Sequence, residues 1–313
     1  MDDKVTANDR RGFLKCMAWA GTGVLFALES GIPGSIGLDS ALATSPHRGT
    51  VKPFSFVQLS DSHIGFDKPP NRDARGTFHE AIAKVRALPV QPDFIIHTGD
   101  VSQLSRDAEF DDAHEMLKET GLPLFFVPGE HDMLDEGGGK AFLARFGNGS
   151  QGSGWYSFDH RGVHFIALVN VADLKPGGMG SLGAEQLRWL TADLTGRSSS
   201  TPIVVFAHMP LWTLYADWGW GTDDAAEAMK LLARFGSVTV LNGHIHQIAQ
   251  KVEGHLAFHT ARSTAFPQPA PGTASAPGPL KVPAGQLRDL LGITDATVAP
   301  GRGALALIDS TLG

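Results

Sequence analysis

Five short stretches of this 313-residue chain join acidic and imidazole side chains at spacings that can do metal chemistry. They are Asp61-Ser62-His63, Gly99-Asp100, Gly129-Glu130-His131-Asp132, His208-Met209-Pro210 and Gly243-His244-Ile245-His246. Each follows an apolar run: Phe54–Leu59, Phe94–His97, Leu124–Val127, Ile203–Ala207 and Val238–Leu241. Singly they say little, because a histidine after a strand is more often structural than a ligand and Gly-Asp is usually only a turn. All five in order point to one site, since parallel strands of an α/β sheet present their carboxyl ends along one edge. Gly99, Gly129 and Gly243 let the backbone bend tightly beside these groups. Imidazole with carboxylate suits Mn, Fe or Zn, whereas Mg or Ca would want oxygen shells.

The elements that must position these residues are legible as apolar runs. His164–Val169 and Ala304–Ile308 add two strands to the five above. Helical spacing covers Arg75–Leu88, Asp107–Glu119, Ala184–Leu194 and Asp223–Phe235. The β-α-β order predicts an α/β architecture with right-handed crossovers. One stretch departs from it: residues 266–283 hold six prolines, which bar a helix and cannot feed a central ladder. That segment is expected to run as an exposed extended loop, whether lid, oligomer arm or plain connection.

The chain carries 26 Lys+Arg against 33 Asp+Glu with 42% hydrophobic residues, which describes a globular protein. A formal charge of -7 with no basic cluster excludes a broad grip on a nucleic-acid polymer. At the N-terminus, Asp9-Arg10-Arg11-Gly12-Phe13-Leu14-Lys15, the mild apolar run Met17–Leu28 and the small-residue site Ala41-Leu42-Ala43 resemble a twin-arginine export signal. The resemblance implies that residues 1–43 are removed and that residues 44–313 form one domain, exported by the twin-arginine machinery to the periplasm or beyond. The run is too short for a spanning helix, which needs about 20 apolar residues, so no stable membrane anchor is expected. The only cysteine, Cys16, lies in this leader, so neither a disulfide nor a thiolate metal site is available to the domain.

In this order the five motifs resemble those of the calcineurin-like metallophosphoesterases: Asp-x-His, Gly-Asp, Gly-Asn-His-Asp/Glu, a later His and Gly-His-x-His. The likeness runs from about Phe54 to His259. It implies a two-layer β-sandwich flanked by helices, with a two-metal centre at its edge. Carried over by position, Asp61, His63 and His246 would hold one metal and Glu130, His208 and His244 the other, with Asp100 bridging. Two such ions can clamp a phosphoryl group and activate hydroxide near neutral pH. His131 is then placed to stabilise developing charge or protonate the leaving oxygen, with Asp132 orienting its ring. The implied activity is hydrolysis of a phosphodiester or phosphomonoester.

The chain departs from the family at position 130, where glutamate replaces asparagine. A third carboxylate binds the ion more tightly and leaves it a poorer Lewis acid, so metal preference or substrate is expected to differ. After Gly99-Asp100 come Val101, Ser102 and Gln103, with no tyrosine where purple acid phosphatases place their iron ligand; that subgroup is disfavoured. Trp212, Tyr215, Trp218 and Trp220, soon after His208, could stack a nucleobase or line a leaving-group pocket, or merely pin their loop to the core. Arg72 and Arg75 could meet substrate phosphate, although a solvated loop is the commoner outcome. His259 could support the metal ligands from behind. Two other readings stand beside the enzyme: a non-catalytic metal or phosphate-ligand binder on the same fold, and a metal hydrolase of a non-phosphate bond.

Overall fold

The computed structural model describes residues 24–29, 32–37, 53–175, 177–299 and 305–313. The chain divides into two compact units, Met1–Arg48 and Gly49–Gly313. Of the first, only an antiparallel pair is described, β1 (Val24–Glu29) with β2 (Ile32–Gly37). The twin-arginine motif and Ala41-Leu42-Ala43 lie outside the described residues. No helix among the described residues is long and apolar enough to cross a membrane.

Two mixed sheets make up the second unit. One has the order β13-β12-β3-β4-β5, with β3 (Phe54–Leu59), β4 (Ile95–His97), β5 (Leu124–Phe126), β12 (Gly292–Val298) and β13 (Leu305–Thr311). The other runs β10-β11-β9-β8-β7-β6, with β6 (Tyr156–His160), β7 (Val163–Ala167), β8 (Ile203–Phe206), β9 (Val238–Asn242), β10 (Gln250–Glu253) and β11 (Leu256–Thr260). β3, β4 and β5 are mutually parallel, as are β7, β8, β9 and β11. The remaining strands pair antiparallel at the edges.

Period-two side-chain alternation assigns each face of these strands. Phe54 and Phe56 of β3 meet Phe165 of β7 and Val204 and Phe206 of β8 in one buried cluster between the sheets. Val57 and Leu59 point the other way, against α1 (Ala74–Arg86) and α2 (Asp107–Lys118), with Phe142 of α3 (Lys140–Phe146) joining them. Ile203 and Val205 likewise face α4 (Gly183–Leu194) and α5 (Ala225–Leu232). The result is the two-layer sandwich with outer helices that the motifs imply. A short α6 (Leu287–Leu290) leads into β12.

Two polar residues tie the sheets together near the strand ends. Gln58 is wholly buried in β3, and its amide donates at 3.0 Å to the carbonyl of Asn242 in β9 and to Thr98 Oγ1. Asn242 in turn donates to the carbonyls of Ala207 and Met209, at 2.9 and 3.0 Å. These bonds hold the carboxyl ends of β3, β8 and β9 in fixed relation, which is where the acidic and imidazole groups emerge.

Candidate metal centre

The five loops after β3, β4, β5, β8 and β9 converge, and those after β3, β4 and β9 do so in an unfavourable backbone conformation. Asp61, His63, Asp100, His244 and His246 all have positive φ, between 41° and 69°, five of the seven non-glycine residues so placed among those described. Left-handed backbone costs an L-residue about 1–2 kcal/mol, so the surroundings must enforce it. Asp61 and His63 donate their N–H groups to the carbonyls of Gly99 and Asp100, and Ser263 Oγ donates to the carbonyl of Asp61 at 2.7 Å. The glycines allow close approach. A Cβ at Gly99 would sit 2.6 Å from His208 Nδ1, and one at Gly243 2.6 Å from Asp61 Oδ2.

Two donor groups result. In the first, His246 Nε2 lies 3.2 Å from Asp61 Oδ1 and from His63 Nε2. The second has Glu130 at its middle, with Oε2 2.7 Å from His208 Nε2 and Oε1 2.9 Å from His244 Nδ1. Asp100 Oδ2 is 3.5 Å from both His63 Nε2 and His208 Nε2, so it touches both groups. Within Asp61-His63-His246 and within Glu130-His208-His244 the candidate ligand atoms lie inside 4.8 Å of one another.

These donors fit a pair of cations. Glu130 Oε2, His208 Nε2 and His244 Nδ1 are buried and make no hydrogen bond despite their proximity, an arrangement that is costly unless an ion lies among them. The far sides of two rings are fixed: His208 Nδ1 donates to the carbonyl of Thr98 at 2.7 Å and His246 Nδ1 to that of Phe266 at 2.6 Å. Each ring thereby keeps its Nε2 lone pair for the site, the usual support of a metal-ligating histidine.

The charges compensate one another strongly. Burial raises the Asp61 carboxyl, but His246, His208 and His63 outweigh it and hold the group below the usual range. Burial is likewise overcome at Glu130, which His244 and His208 keep well below an ordinary glutamate. Desolvation lowers His208, but Asp100 and Glu130 outweigh it and lift it well above an ordinary histidine, so a cation bound at Nε2 would take the place of a tightly held proton. Burial dominates at His63 and pushes it down to about 3, leaving a neutral ring suited to ligation.

His131 and Asp132 sit beside these groups but not as the sequence led one to expect. The His131 ring is oriented by Gln103, whose carbonyl accepts from Nδ1 at 2.8 Å, while its backbone N–H donates to Asp100 Oδ1. Asp132 does not touch the ring. Its fully buried carboxylate accepts from the N–H groups of Val101, Ser102 and Gly129 and from Ser102 Oγ. It therefore braces the Asp100 and Glu130 loops against each other. Burial, then Asp100, pushes its pKa up to about 7.

A cavity of about 650 Å³ opens beside the donors and is lined by His63, Asp100, Glu130, His131, His244 and His246 on one side. Phe66, Leu134, Leu174, Trp218 and Phe266 supply apolar wall, and Lys68 and Lys175 its cationic groups. Of the expected aromatics, Trp218 and Trp220 line it. Trp212 does not, because it packs on Phe258 at 5.2 Å; Tyr215 instead meets the edge of Trp218 at 5.2 Å. Arg75 is spent on Asp112 at 2.7 Å and Arg72 lies 3.8 Å from Asp67, both outside this cavity. His259 serves the fold: it pairs with Asp309 of β13 at 2.9 Å, joining the two sheets.

Sequence reasoning overlooked Gln58, Asn242, Ser263, Gln103 and Gln268. A glutamine inside the apolar run of β3 and an asparagine just before Gly243 were the available signals; the others are invisible without the fold.

Known proteins resemble this chain in sequence and in fold. A protein of Psychrobacter sp., named a probable cyclic nucleotide phosphodiesterase, is 25% identical over 196 residues, which span 61% of this chain and 57% of that one. A Synechococcus sp. protein, likewise named a probable cyclic nucleotide phosphodiesterase, is 27% identical over 228 residues, 71% of this chain and 85% of its own. Among solved structures, a dimetal phosphatase from Danio rerio superposes with a TM-score of 0.62 at 14% identity, covering 83% of this chain and 96% of that one, which supports the fold. The model of the calcineurin-like phosphoesterase family matches residues 54–248, and the chain belongs to that family.

Proposed function

We propose that this metallophosphoesterase hydrolyses a phosphodiester or phosphomonoester, with small nucleotides the first class to test. The observation that carries the reading is the pair of donor groups with unpartnered Glu130, His208 and His244 atoms, joined through Asp100. The adjoining cavity of about 650 Å³ suits a small ester, and Trp218 offers it an aromatic wall. The names of the bacterial relatives favour a cyclic nucleotide within that class.

Asp61, His63 and His246 would hold one ion and Glu130, His208 and His244 the other, with Asp100 shared. Two divalent transition ions, Mn, Fe or Zn, would clamp the phosphoryl group and supply hydroxide near neutral pH. His131, its Nδ1 committed to Gln103, lines the cavity, where its remaining nitrogen could bond a phosphoryl oxygen or protonate the leaving oxygen. Asp132 keeps the Asp100 and Glu130 loops in register. Phe66, Leu174 and Trp218 restrict water around the ester.

Turnover of bis-p-nitrophenyl phosphate with Mn, Fe or Zn added tests this. Metal-stimulated hydrolysis that Asp100→Asn abolishes supports it; tight metal binding without turnover of any ester favours a non-catalytic binder. Failure of inorganic phosphate to compete would favour a non-phosphate bond. Export by the twin-arginine route belongs to the same proposal, and replacing Arg10-Arg11 by Lys-Lys should trap the precursor inside the cell.

A further inference from the structure

Residues 270–277, 279–281 and 283 of the proline-rich segment are exposed. Its first residues and Gly278 are built into the site. Pro267 and Pro269 are buried, and Phe266, Gln268, Pro277, Gly278 and Pro279 line the cavity. His246 Nδ1 donates to the carbonyl of Phe266, and Gln247 Nε2 to that of Pro269 at 3.0 Å. Gln268 reaches both ways: Nε2 donates to the carbonyl of His244 at 2.9 Å, and Oε1 accepts from the N–H of Gly278 at 3.1 Å. The Leu280 N–H closes the base on the carbonyl of Pro267 at 2.8 Å. Gly278 has φ 133°, a conformation open to glycine, and the flanking prolines leave the wall little freedom to lose on binding.

We infer that Gln268 is a positioning residue that holds Pro277-Gly278-Pro279 against the cavity and so sets the affinity for the organic group of the ester. The nature of that ligand rests on the phosphoesterase reading; the mechanical link does not. Losing the Gln268 side chain frees the Gly278 N–H and loosens the wall, while Asp61, Asp100 and Glu130 keep their places. The cost therefore falls on uniform binding, which raises KM more than it lowers kcat.

The test is Gln268→Ala in the full metal-loaded chain. Hydrogen exchange at the Gly278 and Leu280 amides should quicken at least about tenfold, with both metals retained and KM for bis-p-nitrophenyl phosphate raised about tenfold, equivalent to about 1.4 kcal/mol. Gln268→Glu keeps the acceptor for Gly278 but loses the donor to His244, and should fall between. Replacing Pro277 and Pro279 by glycine softens the wall with Gln268 intact and should raise KM similarly. Unchanged exchange in Gln268→Ala overturns the inference, as does quicker exchange with KM unmoved. Loss of metal with a fall in kcat alone also overturns it, since Gln268 would then merely support His244. Absence of turnover in the wild type counts against the phosphoesterase reading, and the exchange result still decides whether Gln268 holds the wall.

Discussion

Glu130 Oε2 lies 2.7 Å from His208 Nε2, yet neither atom makes a hydrogen bond. The other oxygen stands the same way to His244 Nδ1, so one carboxylate spans both histidines. An asparagine here could offer only one uncharged oxygen. Glu130→Asn is expected to weaken retention of one ion by about tenfold or more, the scale on which ligand surroundings act, and to shift the order of preference among Mn, Fe and Zn. Metal analysis after dialysis against a chelator measures it. A variant equal to wild type in both metal content and activity would show that the substitution is neutral.

His131 should separate chemistry from metal binding. Its Nδ1 is anchored on the carbonyl of Gln103 and its backbone N–H on Asp100 Oδ1, and a ring nitrogen lies within 4.8 Å of donor atoms of His63 and Asp100. His131→Gln is expected to lower kcat by about 10²–10⁴, typical for removal of an acid–base group, while both ions stay bound. Steady-state kinetics and elemental analysis on one preparation decide the point.

Gly243 is required by crowding. A Cβ there would overlap Ser60 Oγ and come 2.6 Å from Asp61 Oδ2, both buried and rigidly bonded. Gly243→Ala is expected to displace Asp61, lower stability by about 1–3 kcal/mol and weaken ion binding at the proposed Asp61-His63-His246 site. Thermal unfolding with and without added metal would show a smaller metal-dependent rise than in wild type.

Stability should also depend on pH through a pair formed by the buried His164 and the partly buried Asp193. His164 is buried with Nε2 2.7 Å from Asp193 and Nδ1 2.9 Å from Asp159, and Ser157 Oγ donates to Asp193 at 2.6 Å. Burial raises the Asp193 carboxyl, but the bonds from His164 and Ser157 outweigh it and leave it below its ordinary value of 3.8. Its contribution is present above that value and lost as pH falls through the folded-state value. Asp193→Asn is therefore expected to cost about 1–3 kcal/mol at pH 7, a difference that shrinks below about pH 4 in denaturant titrations.

Much of the site is legible before folding because its ligands follow apolar strands directly, and β3, β8 and β9 begin and end within a residue or so of the apolar runs. What is hidden is long-range. β12 is read as nothing in particular because Thr294, Asp295 and Thr297 dilute its pattern, although it lies between β3 and β13. The seven-residue α3 is too short to show a period after Gly137-Gly138-Gly139. Residue types could not tell that Trp212 faces Phe258 while Trp218 faces the cavity, nor that Asp132 would choose three backbone N–H groups over its neighbour's ring. The proline-rich segment reads correctly as free of helix and ladder strand, but it folds through turns and bends at 271–276 where an extended course was expected, and its bonds to carbonyls and amides of the metal motif give no sign in the sequence.

The positive φ angles at Asp61, His63, Asp100, His244 and His246 dictate how this centre can be silenced cleanly. Valine or isoleucine at these positions would remove a donor and also demand a main-chain path that branched side chains refuse, so the lesion would spread into the scaffold. Asparagine tolerates the same path and is nearly the size of aspartate. Amide replacements at 61 and 100 thus subtract charge while sparing architecture, and any phenotype they produce can be ascribed to the lost negative charge among the candidate ligands.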